Sequence, residues 1–348
     1  MRALDLPATH DDVSLIVKAE EKKVGELEEA GKHSVEKTQN AQGMLMVFCA
    51  SVAFSAGSSM VSVIGDRVPS LQTAMCRFIT QGVLAVVAIA LTKQGHLHEV
   101  KTWVGSPEKK PLFFARGFFG CMGLFCLFYG LQHIALSDAI AINYFNIPFT
   151  AIVASVLLGD PFGKLDMACM LFCTVGVMLV IQPSFLFGSG SGGAQPLPLV
   201  PVLVLMSGAF SVAFALTAVR KIGPSEDAFV LVLWFAGVGT ICGPLFMYIF
   251  GQAWVPLEGS LFWMEAVVGL SGWLGQALLN RGHQIGRPGI VSVPKYSDII
   301  ISLLSQTLIL RQPTTPLKVT GCMCVFATVL AFFFKQRLKE KEGGDGNQ

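Results

Sequence analysis

Ten apolar stretches alternate with short polar breaks along the chain. They lie near residues 44–64, 71–92, 111–131, 137–158, 165–182, 198–219, 228–250, 260–280, 289–310 and 317–334. A bilayer hydrocarbon core is about 30 Å thick, so a spanning helix needs about 20 apolar residues. Each stretch meets or approaches that length, and they are numbered spans 1 to 10 here. The breaks carry turn-forming residues: Pro69-Ser70, Gly159-Asp160-Pro161, Gly188 to Gly193, Gly223-Pro224, Gly286 to Gly289 and Gln312-Pro313. The pattern predicts an all-α polytopic membrane protein. Residues 1–43 are different. Runs such as Glu20-Glu21-Lys22-Lys23 predict a solvated, mobile tail with one weak helix near residues 11–30. No short apolar core with a small-residue cleavage site follows the start, so a signal peptide is not expected.

Composition agrees with the pattern. Of 348 residues, 53% are hydrophobic and 14% are charged, against about 25% charged in a soluble domain. Residues 44–334 hold only 26 of the 48 charges. Mean hydropathy is +0.61. An ordinary soluble enzyme, a nucleic-acid binder and a disordered chain are excluded on these grounds. The net charge of +2 names no partner. All nine cysteines fall in apolar stretches without a CxxC pair, so neither a disulfide framework nor a zinc site is indicated, and no cofactor is expected.

Lys and Arg concentrate on one side of such a membrane topology. With a cytoplasmic N-terminus, the tails and the connections after spans 2, 4, 6 and 8 carry 19 basic residues. The opposite loops carry two, Arg67 and Arg311. The positive-inside rule therefore predicts that both termini are cytoplasmic. The plasma membrane and the endoplasmic reticulum or Golgi stay open as locations.

The two halves match at an offset of 152 residues. Gly117, Gly120 and Gly123 pair with Gly269, Gly272 and Gly275. Leu127, Gly130 and Gln132 pair with Leu279, Gly282 and Gln284, and Tyr144 pairs with Tyr296. Ala53-Phe54-Ser55 in span 1 echoes Ala209-Phe210-Ser211 in span 6. A five-span unit is odd, so its second copy enters the membrane from the opposite side. The expected architecture is ten transmembrane helices in two inverted five-helix repeats, which suits alternating access. The predicted boundaries are a tail at 1–43, a first repeat at 44–183, a Gly/Ser/Pro linker at 184–197, a second repeat at 198–334 and a tail at 335–348.

With these features the sequence resembles the drug/metabolite transporter superfamily with EamA-type repeats. More narrowly it is similar to the G subgroup of solute carrier family 35. The residues that carry the resemblance are Arg116-Gly117, Ala135 to Ala139, Gly176 to Pro183, Arg77-Phe78, and Lys295 with Asp298. It covers roughly residues 44–335. After the fourth span, the residue usual in the family is replaced by Asp160 in the first half and by Gln312 in the second. The resemblance implies a ten-helix carrier, for organic anions such as citrate in the subgroup.

Ionisable groups inside spans are costly and usually face a bundle interior. Lys295 lies about five residues into span 9, roughly 8 Å deep at 1.5 Å per residue. Asp298 follows one turn on. An anion anchor and a plain salt bridge are both open for this pair. At the repeat offset, Asn143-Tyr144-x-Asn146 superposes on Lys295-Tyr296-x-Asp298. Both asparagines are candidates for binding a substrate carboxylate or for gluing helices together. Pro148 and Pro294 remove helix hydrogen bonds and are expected to free the carbonyls of Tyr144 and Ile290. Arg77 in span 2 offers a planar fork for a carboxylate. The candidate substrate site is thus Lys295, Arg77, Asn143, Asn146, Tyr144, Tyr296 and Asp298.

Tyr129, Trp234, Trp273 and Gln276 are weaker candidates for a cavity lining. Arg116 and Lys318 at span starts are expected to snorkel to the interface, and Glu265 to lie near the extracytoplasmic surface. The glycine rows and Gly239-x-x-x-Gly243 predict close helix packing. His133 and Asp138 form an H-x-x-x-x-D pattern resembling a lipid acyltransferase signature, with no further block of that kind; no enzyme is expected. The expected function is a secondary carrier of small organic anions in a lipid bilayer, with a homodimer left open. A nucleotide-sugar or other metabolite exchanger and a non-transporting scaffold of the endoplasmic reticulum are the alternatives.

Overall fold

The structure is a computed structural model that describes residues 10–64, 67–93, 99–133, 136–159, 163–181, 184–187, 198–298, 300–301 and 316–344. Its described elements are helical. They are α1 (His10–Ile64), α2 (Ser70–Thr92), α3 (Val100–Val104), α4 (Lys110–His133), α5 (Leu136–Asn143), α6 (Asn146–Leu158) and α7 (Lys164–Ile181). There follow α8 (Ser184–Phe187), α9 (Leu199–Ile222), α10 (Ala228–Ile249), α11 (Ser260–Ile285), α12 (Pro288–Val291) and α13 (Pro316–Gly344). Among the described residues, five helical segments are long and apolar enough to cross a bilayer: Thr38–Val61, Ser70–Thr92, Val100–Gly130, Leu199–Ile222 and Ala228–Ile249. Shorter apolar helices cover Asn146–Leu158, Met167–Val180 and Pro316–Thr328. The molecule is a polytopic helical membrane protein.

Several spans are less simple than their hydropathy. The N-terminal segment and span 1 form one helix, α1, with no break near residue 43. The sequence between is rich in Glu, Lys, Ala and Val and lacks proline after Pro7, so nothing interrupts the helical ladder. Span 4 is two helices. Tyr144 and Phe145 form a turn between α5 and α6, and Pro148 sits in the first turn of α6, not mid-helix. Proline is tolerated there because its missing N–H has no intrahelical role. The Tyr144 carbonyl, expected to be free, accepts from the Ile147 amide at 3.1 Å. The turn thus tightens to 3₁₀ geometry around the proline. At the far end of α6, Gly159 adopts φ 70° and its amide bonds the Ser155 carbonyl, a left-handed cap that glycine takes without Cβ strain.

Span 9 begins as the single-turn α12 and passes into a 3₁₀ turn, Val293–Tyr296. Lys295 therefore sits in a tight turn rather than five residues into a regular helix. The Ser292 amide bonds the Pro288 carbonyl at 3.1 Å. Residues 302–310 of this span lie outside the described residues, as do Gly188–Gly193, Asp160, Arg311 and Gln312.

The glycine rows place the helices. The α4 row meets α9 and α10: Gly117 lies against Trp234 and Val238, and Gly123 against Val212. The α11 row meets α1 and α2: Gly269 lies against Thr80, and Gly275 against Phe54. Gly239 and Gly243 of α10 pack on Phe78 and Met75 of α2. Lipid offers no hydrophobic drive between helices, so such close approach supplies dispersion contacts instead. An aromatic cluster fills the space beside α2. Phe78 is fully buried, edge-on to Phe235 with ring centroids 5.0 Å apart, and Phe125 stacks on Phe246 at 4.0 Å.

Candidate functional site

Three elements bring the charged candidates together. α2 carries Arg77, the α12-to-3₁₀ region carries Lys295 and Asp298, and α1 carries Phe54 and Ser55. The Arg77 guanidinium lies 5.5 Å from the Phe54 ring centroid, and the Lys295 ammonium lies 5.0 Å from it. Both cations use the negative quadrupole of one ring, a contact that strengthens when water is excluded. Asp298 lies within electrostatic reach of both. Its carboxylate accepts from the Ser55 hydroxyl, which also reaches the Asp298 carbonyl at 3.1 Å. Tyr144 donates its hydroxyl to the other carboxylate oxygen at 3.4 Å.

The tyrosines hold this arrangement. Tyr144 and Tyr296 stack with centroids 6.1 Å apart and planes 16° from parallel. The Tyr296 hydroxyl is 2.9 Å from the Thr174 hydroxyl of α7. The structure therefore gathers Arg77, Lys295, Tyr144, Tyr296 and Asp298 in one region, the tyrosines buried and the charged residues half-buried. The asparagines are adjacent through Tyr144. Asn146 donates its side-chain amide to the Asn143 carbonyl at 2.5 Å, across the α5–α6 break. Its Oδ1 is buried without a partner among the described residues.

A cavity of about 360 Å³ leads to Arg77 from the end of the bundle that carries the α1–α2 loop. Val61, Ile64, Val68, Thr73, Phe128 and Val268 are among its walls. The rim is held by α2 and the α10–α11 connection: Gln72 exchanges side-chain hydrogen bonds with Val255 at 2.6 and 2.8 Å. Glu265 is 2% exposed and accepts from Thr73 at 2.7 Å. It thus lies between the helices near the α1–α2 loop end, where Thr73 gives its carboxylate a partner.

The opposite end, around residues 36–43 of α1, is tied together by several contacts. Arg287 pairs with Glu36, and its amide bonds Asn40 at 2.8 Å. Arg220 donates to the carbonyls of Gln284 and Ile285 at 3.0 and 2.9 Å. The buried His283 meets Ser292 at 3.0 Å. α1 and α11 cross backbone to backbone. A Cβ built on Gly43 would lie 2.8 Å from the Gly282 carbonyl oxygen, and the reverse substitution is as tight.

Arg116 corrects another expectation. It does not snorkel; it is 2% exposed. Gln276 takes one of its bonds at 2.7 Å, and Asn280 takes two at 3.1 and 3.2 Å. The side-chain amides let the guanidinium stay inside. Gln276 therefore serves Arg116 rather than the cavity wall. Trp234 donates to the Val104 carbonyl, and Tyr129 stacks on the exposed His133. The side chain of Asp138 lies outside the described residues.

Sequence reasoning missed Phe54, Ser55 and Thr174. The signal for the first two was present: Ala53-Phe54-Ser55 is the echo of Ala209-Phe210-Ser211. Nothing in the sequence pointed to Thr174, whose role depends on α7 packing beside the 3₁₀ turn.

An EamA-like transporter family model matches residues 41–182. The chain is 25% identical over 289 residues to solute carrier family 35 member G1 of Homo sapiens, covering 82% of this chain and 77% of the relative. It is 24% identical over 265 residues to the pseudopaline exporter CntI of Pseudomonas aeruginosa, covering 75% of this chain and 84% of that protein. A solved crystal structure superposes with a TM-score of 0.70 at 18% identity, covering 85% of this chain and 98% of its own; this likeness concerns the fold. Apolar spans, a charged site and these relatives define a multi-pass membrane transporter of small metabolites. Over most of its length the chain resembles the drug/metabolite transporter superfamily and, within it, the G subgroup of solute carrier family 35.

Proposed function

We propose that this transporter is a secondary carrier of small organic anions, citrate-like carboxylates, working by alternating access. The observation that carries the reading is the charge balance at Phe54. Two cations, Arg77 and Lys295, lie over the Phe54 ring, and one carboxylate, Asp298, is within electrostatic reach of both. One positive charge is left uncompensated by this carboxylate, and an anion entering through the cavity beside Arg77 neutralises it. Arg77 offers a bidentate fork. Lys295 supplies the main attraction, while Asn143, Asn146, Tyr144 and Tyr296 orient the substrate.

The same reading takes the ten spans as two inverted repeats, 44–183 and 198–334, joined by a linker at 184–197. The reciprocal glycine contacts support it, since α4 packs on α9 and α10 as α11 packs on α1 and α2. With both termini cytoplasmic, the cavity faces the extracytoplasmic side and the Glu36–Arg287 end is the closed cytoplasmic gate. Rocking one repeat against the other exchanges the two.

The test is uptake of radiolabelled citrate into vesicles reconstituted with the purified protein. Lys295→Ala is expected to abolish uptake while the protein remains monodisperse and helical. Full uptake by that variant overturns the assignment. Accumulation driven only by a trans-loaded nucleotide sugar, with none for carboxylates, would replace it with the exchanger.

A further inference from the structure

Arg116 is a buried cation without a carboxylate partner among the described residues. Its guanidinium contacts are Gln276, Asn280 and the face of Phe235, whose centroid is 4.9 Å away. Neutral amides satisfy its donors but leave its charge uncompensated, and a charge in the membrane interior needs a counter-charge or water. The polar atoms around it are also unbalanced. Asn280 spends Oδ1 on both bonds from Arg116, which fixes Nδ2 as a donor, and that donor is buried without a partner among the described residues. Gln81 of α2 has both side-chain polar atoms buried and, among the same residues, unpartnered. Buried polar groups are almost always paired, so such orphans call for an account.

These groups form a track. Gly272, Gln276 and Asn280 succeed one another at one-turn intervals on a single face of α11. A Cβ built on Gly272 would lie 2.5 Å from Gln81 Nε2 and 2.6 Å from Arg77 Nε. Arg77 and Gln81 therefore both lie over Gly272, at the top of the face that Arg116 occupies lower down. Beyond Asn280 the face continues to the buried His283 at the closed end. The track runs from the cavity-side arginine toward the tied gate.

We propose that Arg116, with Asn280 and Gln276, is a second anion-binding station, which takes a carboxylate or similar oxyanion between the Arg77–Lys295 site and the closed end. This rests on the anion-carrier reading above. The guanidinium supplies the charge and the Asn280 amide an additional donor. Gln81 is the intermediate contact between the two arginines. In the present conformation the amides of α11 stand in for the anion, and the guanidinium is released to it when α4 and α11 separate.

The test is equilibrium binding to the full-length protein in nanodiscs, with inorganic sulfate and with citrate as probes. In Lys295→Gln, residual saturable binding of both anions is expected. Adding Arg116→Gln should weaken that residue by about tenfold or more, as loss of a charge-assisted contact does. Arg116→Lys, which keeps the charge without the fork, should retain part of it. Asn280→Ala is the second probe if Arg116→Gln does not fold, and it should weaken sulfate binding while Arg116 is intact. Equal binding by Lys295→Gln and by its folded Arg116→Gln or Asn280→Ala derivative overturns the station. Sulfate binding that depends on Arg116, without citrate binding or uptake by the unaltered protein, keeps the station and overturns the citrate-like substrate. No binding of either anion by the unaltered protein overturns both.

Discussion

The turn at Tyr144 and the turn at Tyr296 are the same place in the two halves of the sequence, yet they do different work. Both interrupt a span and both present a tyrosine, and the two rings stack on each other. Around Tyr144 the flanking residues are neutral. Asn146 spends its amide on the Asn143 carbonyl and so closes the α5–α6 break. Around Tyr296 the flanking residues are charged. Lys295 and Asp298 turn away from their own backbone to Phe54 and Ser55 of α1. A short neutral side chain can satisfy a broken helix locally. A lysine in the same position must find distant partners, and in doing so it creates a field in the bundle. The two turns match at the 152-residue offset of the sequence, and only the one at Tyr296 carries charge.

The sharpest way to break this comparison is to move the charge. Lys295→Asn should eliminate anion uptake, and adding Asn143→Lys should restore at least about a tenth of it if both turns face one cavity, a difference of at most roughly 1.4 kcal/mol. A folded double variant with no uptake would show that the turns are not interchangeable. Asp298→Asn should act less strongly. It removes the negative charge and weakens the Ser55 and Tyr144 bonds, so citrate should bind about tenfold tighter and turn over more slowly. Unchanged affinity in equilibrium binding would make Asp298 a purely structural residue. The smallest effect is expected on the neutral side. Asn146→Ala should cost about 1 kcal/mol of stability through the lost bond across the break, read as a lowered thermal midpoint, with KM raised a few-fold. A change in midpoint equal to that of a random surface variant would remove Asn146 from the account.

Much of this was legible beforehand. Hydropathy located α2, α4, α9 and α10 within a few residues, because a lipid-facing helix must be apolar throughout most of its length. The glycine rows named the faces of close packing, because only glycine admits a neighbouring backbone there. Lys295, Asp298 and Arg77 stood out because ionisable groups are rare in spans. The errors share a cause. Arg116 was read from its distance to a span end, which measures depth along one helix but not what faces it. Gln276 and Asn280 are the partners that keep its charge inside. The Tyr144 carbonyl was expected to be free because a regular helix was assumed through Pro148, whereas the chain breaks and tightens there instead.

The sequence by itself determined the class of protein, the segments that enter the membrane and the residues too costly to bury without a role. These follow from transfer free energies and helix geometry, which depend on composition and spacing alone. The tertiary structure decided which polar residues meet. It seated two cations on one phenylalanine, gave Asp298 to Ser55 and Tyr144, and left Arg116 among amides without a counter-charge among the described residues. Such contacts join residues more than a hundred positions apart, and only the packing of α1, α2, α4 and α11 brings them within reach.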